Sequence, residues 1–320
     1  MNIEDINIKK ELRIVFMGTP EFSVPVLEAL IKNYGVKAVV TQPDKVVGRS
    51  GKISMPPVKE IAVNHNILTI QLNKIKEEYQ EIIDLEPDLI VTCAYGQILP
   101  VELLNCPRLG CINVHASLLP KLRGGAPIHR AIINGYKKTG ITIMYMAPGM
   151  DDGDIISSAE IAIEDNDTAS SLHDKLSILG SKLLIETLPS IIDGTNSRTP
   201  QDESLVTYAP IIKPEDEKID FSKTKYEIYN KVRGLNSWPG AYAILNGKRI
   251  KIWECYMTDN YYTELVDGQI TKIYKDGIGV KVGSGEVVIT LLQMEGKNKM
   301  KALDFANGYG KDNLIGQILS

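Results

Sequence analysis

Asn113 and His115 stand two positions apart in the apolar run Cys111-Ile112-Asn113-Val114-His115-Ala116. In an extended strand that spacing puts both side chains on one face. A carboxamide that donates hydrogen bonds, beside an imidazole that moves a proton, is equipment for polarising a carbonyl and transferring an acyl group. Ser117-Leu118-Leu119-Pro120 follows at once, then Arg123-Gly124-Gly125-Ala126-Pro127-Ile128, and Asp151 opens the acidic turn Asp151-Asp152-Gly153-Asp154. A histidine alone is most often a satisfied structural residue, and Asp151 by its spacing is as readily a turn acid. The neighbourhood favours chemistry, because an extended loop followed by a glycine pair lets backbone groups approach a planar ligand closely. The acidic turn lacks the further acids and the distant glutamate of a calcium loop. The expectation is a carboxylate, an imidazole and an amide grouped around one acyl carbon.

Such groups need a rigid frame. From residue 12, short apolar runs (12–18, 36–41, 67–72, 88–94, 111–116) alternate with stretches of helical period (24–31, 58–63, 75–85, 127–133). Strands apolar on both faces and separated by helices predict an α/β fold, a Rossmann-like, mostly parallel sheet with flanking helices. Two more strands, 139–146 and 154–163, and a long amphipathic helix over 170–192 complete it. Open sheets of this kind bind ligands beyond the carboxyl ends of their strands, where the 96–100 turn, His115 and Asp151 fall. No Gly-x-Gly-x-x-Gly follows the first strand, and Gly48-Arg49-Ser50-Gly51-Lys52 lacks Walker spacing, so no nucleotide cofactor is indicated.

The period then changes. Residues 193–212, with Asp193-Gly194-Thr195-Asn196-Ser197, Pro200 and Pro210, read as a linker. Beyond it come a helix over 222–233 and about five strands (241–245, 248–256, 268–274, 278–282, 286–294) joined by tight turns such as Asn246-Gly247 and Asp276-Gly277. That pattern suggests a smaller C-terminal β-barrel, for which the oligonucleotide-binding (OB-like) type is one option. The expected organisation is a catalytic domain over 1–192, a linker over 193–212 and a barrel over 213–320.

Composition sets the outer bounds. A chain of 320 residues, 43% hydrophobic and 24% charged, has enough apolar surface for a large and a small core. Net charge is −4, yet residues 1–208 hold 20 Lys+Arg against 26 Asp+Glu, whereas residues 209–320 hold 16 against 14. This asymmetry permits an anionic partner at the second part; a solvated, balanced surface explains it equally well. The four cysteines (Cys93, Cys106, Cys111, Cys255) make no Cys-x-x-Cys pair, so buried reduced thiols are expected rather than zinc. The N-terminus lacks the basic and apolar segments of a leader, and no apolar run reaches membrane-spanning length, so a cytoplasmic setting without a membrane is expected.

With these residues in view, the chain resembles the methionyl-tRNA formyltransferase family along essentially its whole length. The resemblance is carried by Phe16-Met17-Gly18-Thr19-Pro20, Thr41-Gln42-Pro43-Asp44, Ala94-Tyr95-Gly96-Gln97-Ile98-Leu99-Pro100, Ile112 to Pro120, Arg123 to Ile128, the Asp151 turn, Tyr229-Asn230-Lys231-Val232-Arg233 and Trp238-Pro239-Gly240-Ala241. The Asn-x-His and Ser-Leu-Leu-Pro core is similar to folate-dependent formyltransferases in general. The later motifs narrow the group to the tRNA enzymes. Phe221 departs from the pattern, where the family more often has Trp.

The resemblance implies transfer of the formyl group of 10-formyltetrahydrofolate to the amino group of methionyl-initiator tRNA, without a metal. By matched position, Asn113, His115 and Asp151 are its catalytic residues; Gln97, Ile98, Leu99, Ser117, Leu118, Leu119 and Pro120 its folate contacts; and Arg49 and Lys52, in the basic loop over 43–57, its tRNA contacts. The mixed surface is compatible with a monomer. A folate site serving another acceptor, an amino-sugar nucleotide or water, is the rival enzyme reading and leaves the basic loop and barrel unexplained. A folate- or RNA-binding module with a dead site is the non-enzymatic one, disfavoured because all three catalytic positions carry reactive side chains.

Overall fold

Strands with no polar face set the frame. In the computed structural model, residues 12–47 and 51–320 are described. β1 (Ile14–Gly18) is buried along its whole length and leads through a short 3-10 turn into α1 (Val24–Asn33), whose Val26, Leu27 and Leu30 form the apolar stripe. β2 (Ala38–Thr41), β3 (Lys45–Val47), β4 (Lys52–Ser54), α2 (Pro57–Asn64), β5 (Leu68–Gln71), β6 (Leu89–Cys93) and β7 (Cys111–His115) follow. Then come α3 (Pro127–Ile133), β8 (Lys138–Tyr145), β9 (Ile155–Ala162) and α4 (Ala169–Asp193). Seven strands make one sheet in the order β5-β2-β1-β6-β7-β8-β9. Pairing is parallel from β5 to β7 and antiparallel between β7 and β8, the mostly parallel sheet the apolar runs predict.

Two expectations change in detail. The helix expected over 75–85 is a pair of single turns, Ile75–Glu78 and Gln80–Ile83, because Tyr79 ends the first turn and opens the second. The basic loop over 43–57 is in part a hairpin, β3 paired with β4 through Lys45↔Ser54 and Val46↔Ile53. Its base is fastened by Lys59, whose ammonium donates to both carboxylate oxygens of Asp44 at 2.9 and 2.7 Å. That ammonium, helped by Gln71, holds the Asp44 carboxyl below its ordinary value.

α4 packs close to the strand that carries the candidate residues. A Cβ at Gly180 would stand 3.0 Å from Val114 Cγ1 and 3.6 Å from Ile141 Cδ1, so the missing side chain is what lets the helix approach β7 and β8.

Packing divides the chain into two compact units, one built on residues up to 127 with 139–161 and 173–210, the other on 128–138, 162–172 and 211–320. The second unit draws on the middle of the chain through polar ties: Arg233 Nη1 donates to the carbonyls of Glu164 and Asp167 at 2.9 Å each. Its helix α5 (Lys225–Gly234) starts at a capping box of Thr224 and Glu227. β10 (Ala241–Leu245), β11 (Lys248–Thr258), β12 (Ile270–Ile273), β13 (Ile278–Val282), β14 (Gly285–Met294), β15 (Met300–Lys301) and α6 (Ala302–Tyr309) complete it.

The antiparallel sheet runs β10-β11-β14-β13-β12, with β15 on β14. Its two ends are joined by the C-terminal tail. Ser320 exchanges backbone hydrogen bonds with Ile244 of β10, while Gln317 accepts from Ile270 of β12 and Leu319 donates to Gly268. The tail is the seam that closes a small barrel and removes both free edges. Glu286 lies buried in this unit and accepts from Thr258, Asn260, Tyr262, Thr271 and Tyr274. Burial pushes its carboxyl up, but these donors together hold it below its ordinary value.

Candidate active site

β7 delivers Asn113 and His115 to the same side of the sheet at its carboxyl end, as their two-residue spacing requires. Register pairs Asn113 with Thr92 of β6 and His115 with Thr142 of β8. Both threonines are buried and both are used. The Thr92 hydroxyl lies 2.9 Å from Asn113 Oδ1 and donates to it. With its oxygen taken, the half-buried amide presents Nδ2 as its free donor. The Thr142 hydroxyl donates to Ser117 O at 2.7 Å and accepts from Leu119 N at 3.1 Å, which fixes the loop after β7.

His115 is 6% exposed, and each of its ring nitrogens faces a protein group. Nε2 is 3.2 Å from the Leu122 carbonyl, an acceptor only, so this nitrogen carries a proton. Nδ1 is 3.6 Å from Asp151 Oδ2, beyond hydrogen-bond length, leaving an electrostatic coupling that a proton or a bridging group can close. Asp151 Oδ2 also accepts from the Gly124 amide at 2.8 Å. The structure thus brings Asn113, His115 and Asp151 into one cluster.

The backbone that aims these groups is unusual. Leu122 and Asp151 both have positive φ, +61° and +51°. Aspartate tolerates this region; a buried leucine adopts it only under constraint. Leu122 N donates to Thr207 Oγ1 at 2.9 Å, Arg123 N to Thr207 O at 2.9 Å, and Ala209 N to Arg123 O at 2.7 Å. The buried Arg123 guanidinium donates to Gln201 Oε1 at 2.9 and 3.0 Å and to Glu203 Oε1 at 2.8 Å. Gln201 Nε2 in turn donates to the carbonyls of Asp151 and Gly153, each at 2.8 Å. Residues 199–209, which read as linker in the sequence, tie the loop facing His115 to the turn that presents Asp151.

Sequence reasoning did not single out Thr92, Leu122, Gln201 or Thr207. Thr92 reads as an ordinary strand residue, and nothing near Gln201 announces a long-range tie. Arg123 and Gly124 did stand in a noted motif, without a role.

The expected folate contacts face the protein or solvent, and the cavity near them is lined by other residues. Gln97 accepts from Ile75 N at 2.9 Å and donates to Asn73 O, Leu99 packs in the core, and Ile98 is 51% exposed. Ser117 donates to Lys121 O at 2.6 Å; Leu118 lies over Gly140; Leu119 is buried; Pro120 is half-buried. After the 97–100 turn a single helical turn, Val101–Leu104, borders a cavity of about 540 Å³ that is also lined from 105–111, from 191–198 and from Tyr145 to Pro148, the segment running into the Asp151 turn. Met146 belongs to that segment, and its sulfur is 3.3 Å from the Thr92 hydroxyl. Met146 thus stands between the cavity and the Thr92 hydroxyl that orients the Asn113 amide. Cys111 also lines the cavity, but burial, and then the nearby Cys106, pushes that thiol up to about 12, so it is no nucleophile near neutral pH.

Arg49 and the side chain of Lys52 lie outside the described residues. Among the described residues, no cluster of three His, Cys, Asp or Glu is arranged to hold a metal ion, and no helix is long and apolar enough to cross a membrane.

Residues 12–188 match the formyl transferase family, and residues 211–310 match the formyl transferase C-terminal domain. Methionyl-tRNA formyltransferase of Bacillus subtilis (strain 168) is 53% identical over 300 residues, 92% of this chain and 94% of that protein. The protein of the same name from Staphylococcus epidermidis (strain ATCC 12228 / FDA PCI 1200) is 47% identical over 310 residues, 96% of this chain and 99% of that one. Among solved structures, the N-formyltransferase from Helicobacter canadensis, in complex with folinic acid and dTDP-3-aminofucose, superposes with a TM-score of 0.67 at 23% identity, covering 88% of this chain and 99% of that one. That likeness is one of fold.

Proposed function

We propose a division of labour for the site on the premise that the chain belongs to the methionyl-tRNA formyltransferase family of formyl transferases. It transfers a formyl group from a formyl-folate donor to the free amino group of methionyl-initiator tRNA. The observation that supports the roles below is the grouping of Asn113, His115 and Asp151 at the end of β7.

Asn113 Nδ2 is the donor for the formyl oxygen as it gains charge during attack by the amine, and Thr92 keeps the amide turned for that task. A donor aimed at a developing oxyanion is worth about 2.7 to 4 kcal/mol. His115 and Asp151 handle the proton that the amine loses. With Nε2 committed to Leu122, Nδ1 is the imidazole nitrogen open to exchange, and Asp151 is its partner. The pair holds the proton and hands it on toward the departing nitrogen.

The donor is 10-formyltetrahydrofolate, which supplies the activated formyl carbon. About 540 Å³ between Val101–Leu104 and Tyr145–Pro148 is of a size that takes a fused bicyclic ring with its substituent. The 97–100 turn and the 117–120 loop supply folate contacts through backbone groups other than the Ser117 carbonyl and the Leu119 amide, which Thr142 holds. Arg49 and Lys52 contact the tRNA. Residues 1–192 form the catalytic domain, 193–212 the linker and 213–320 the tRNA-binding domain of a cytoplasmic monomer.

Labelled formyl donor incubated with methionyl-tRNA tests this. Label on the aminoacyl end supports the acceptor; label in free formate, or only on an added amino-sugar nucleotide, replaces it with the rival one.

A further inference from the structure

The second unit carries, on the outside of its barrel, an exposed ring and a set of ammonium groups that neither its core nor its ion pairs use. Along β11, Ile250 and Ile252 point into the core, so Lys251 and Trp253 share the opposite face. Trp253 is covered there by two cations, with Lys299 Nζ 3.6 Å and Lys251 Nζ 5.5 Å from the ring centroid. A Cβ at Gly240 would come within 2.7 Å of this ring, so the Trp238-Pro239-Gly240 turn lies directly against it. Lys251 Nζ also donates to Pro239 O at 2.6 Å. Beside this face runs a groove of about 250 Å³, lined by Arg249, Lys251, Gln293, Met294, Glu295 and Gly296.

Trp238 tops the turn with 69% of its surface exposed. Tryptophan is a residue that folding ordinarily covers, and among the described residues the aromatic neighbour of this one is the His129 ring, at 6.3 Å between centroids. Among the described residues Lys251 and Lys299 form no ion pair. Lysine has three donors, and Lys251 spends one on Pro239. Arg249 is committed to Glu217 and to the Tyr242 ring, and takes no part.

An exposed π-face on a turn packed against a ring that carries two ammonium groups, each with donors left over, is the chemistry that holds single-stranded nucleic acid: a base stacks on the ring while phosphates sit on the cations. We propose that Trp238, Lys251 and Lys299 form a track for an unpaired segment of the RNA substrate, with one base on Trp238 and the adjoining phosphates on the two lysines. This rests on the reading of methionyl-tRNA as acceptor and assigns part of its binding to the outer face of β11.

Initial rates with methionyl-tRNA over a range of salt concentrations test the track. Trp238→Ala raises KM for the tRNA about tenfold, leaves kcat within about twofold and leaves KM for the formyl donor unchanged; Trp238→Phe recovers most of the loss. Lys299→Gln lowers the slope of log kcat/KM against log salt by about 0.7, the share of one single-strand phosphate contact. Both side chains are exposed, and thermal denaturation checks that the variants fold. Unchanged tRNA KM in Trp238→Ala together with an unchanged salt slope in Lys299→Gln, in an enzyme whose wild type formylates methionyl-tRNA, overturns the track alone. A wild type that does not formylate methionyl-tRNA overturns the acceptor, and the track with it.

Discussion

The Thr92 hydroxyl donates to Asn113 Oδ1 across 2.9 Å, from a neighbouring strand and at the matching register position. An isolated amide can present either end to a substrate; this one is turned by a partner that can give it a proton. Thr92→Val keeps the shape of the buried side chain and removes only the hydroxyl. Loss of one such bond, about 0.5 to 1.5 kcal/mol, lowers kcat by about two- to tenfold with little change in KM for the donor. Asn113→Ala removes the donor itself and costs on the order of a hundredfold or more in kcat. A Thr92→Val enzyme with unaltered kcat would show that the amide is oriented by something else.

The imidazole and the carboxylate act as a pair, so their losses do not add. His115→Ala lowers kcat by on the order of a hundredfold or more, and Asp151→Asn, which keeps an acceptor for the Gly124 amide but no charge, lowers it comparably. The double variant is expected to be little worse than the poorer single one, because either change already breaks the route for the proton. Additive losses in the double-mutant cycle would separate the two residues into independent roles.

Gln201 reaches the Asp151 turn through backbone carbonyls and the loop facing His115 through the Arg123 side chain. Its amide donates to the carbonyls of Asp151 and Gly153, and its oxygen accepts from the buried Arg123 guanidinium. Gln201→Ala leaves these partners unsatisfied at a cost of about 1 to 3 kcal/mol, seen as a lowered Tm, and frees the Asp151 turn, seen as a lower kcat. Adding a positioning loss to a folding loss is what distinguishes this role from a purely structural one. A variant that loses stability but keeps full kcat would confine Gln201 to the latter.

These residues also mark what a sequence can disclose. Asn113 and His115 were legible because strand geometry converts a spacing of two into a shared face, and the apolar alternation around β1, β6 and β7 fixes the sheet that carries them. Thr92 was not, since its partner lies 21 positions away and only strand order brings them together. The positive φ of Leu122 has no signal in its residue type, and the seam between Ser320 and Ile244 joins segments that share no local pattern. Period reveals elements and faces; pairings across them depend on the fold.

Asp88 gives the fold a defined acid limit. It lies at the start of the β6 region, nearly buried, and accepts from the backbone amide of Arg13 at 2.9 Å and from the guanidinium of Arg108 at 2.8 Å. Burial pushes its carboxyl up, but the Arg13 amide and the two guanidinium groups outweigh this and bring it from 3.8 down to about 2. A carboxyl whose value falls on folding stabilises the native state above its unfolded value. That contribution is lost as the pH drops from about 4 toward 2. The difference corresponds to roughly 2 kcal/mol at neutral pH. Asp88→Asn therefore unfolds at lower urea than the wild type at pH 7, and the gap between them narrows as the pH falls from about 4 toward 2. A gap of constant size across that range would mean that Asp88 stabilises the fold through packing rather than through its charge.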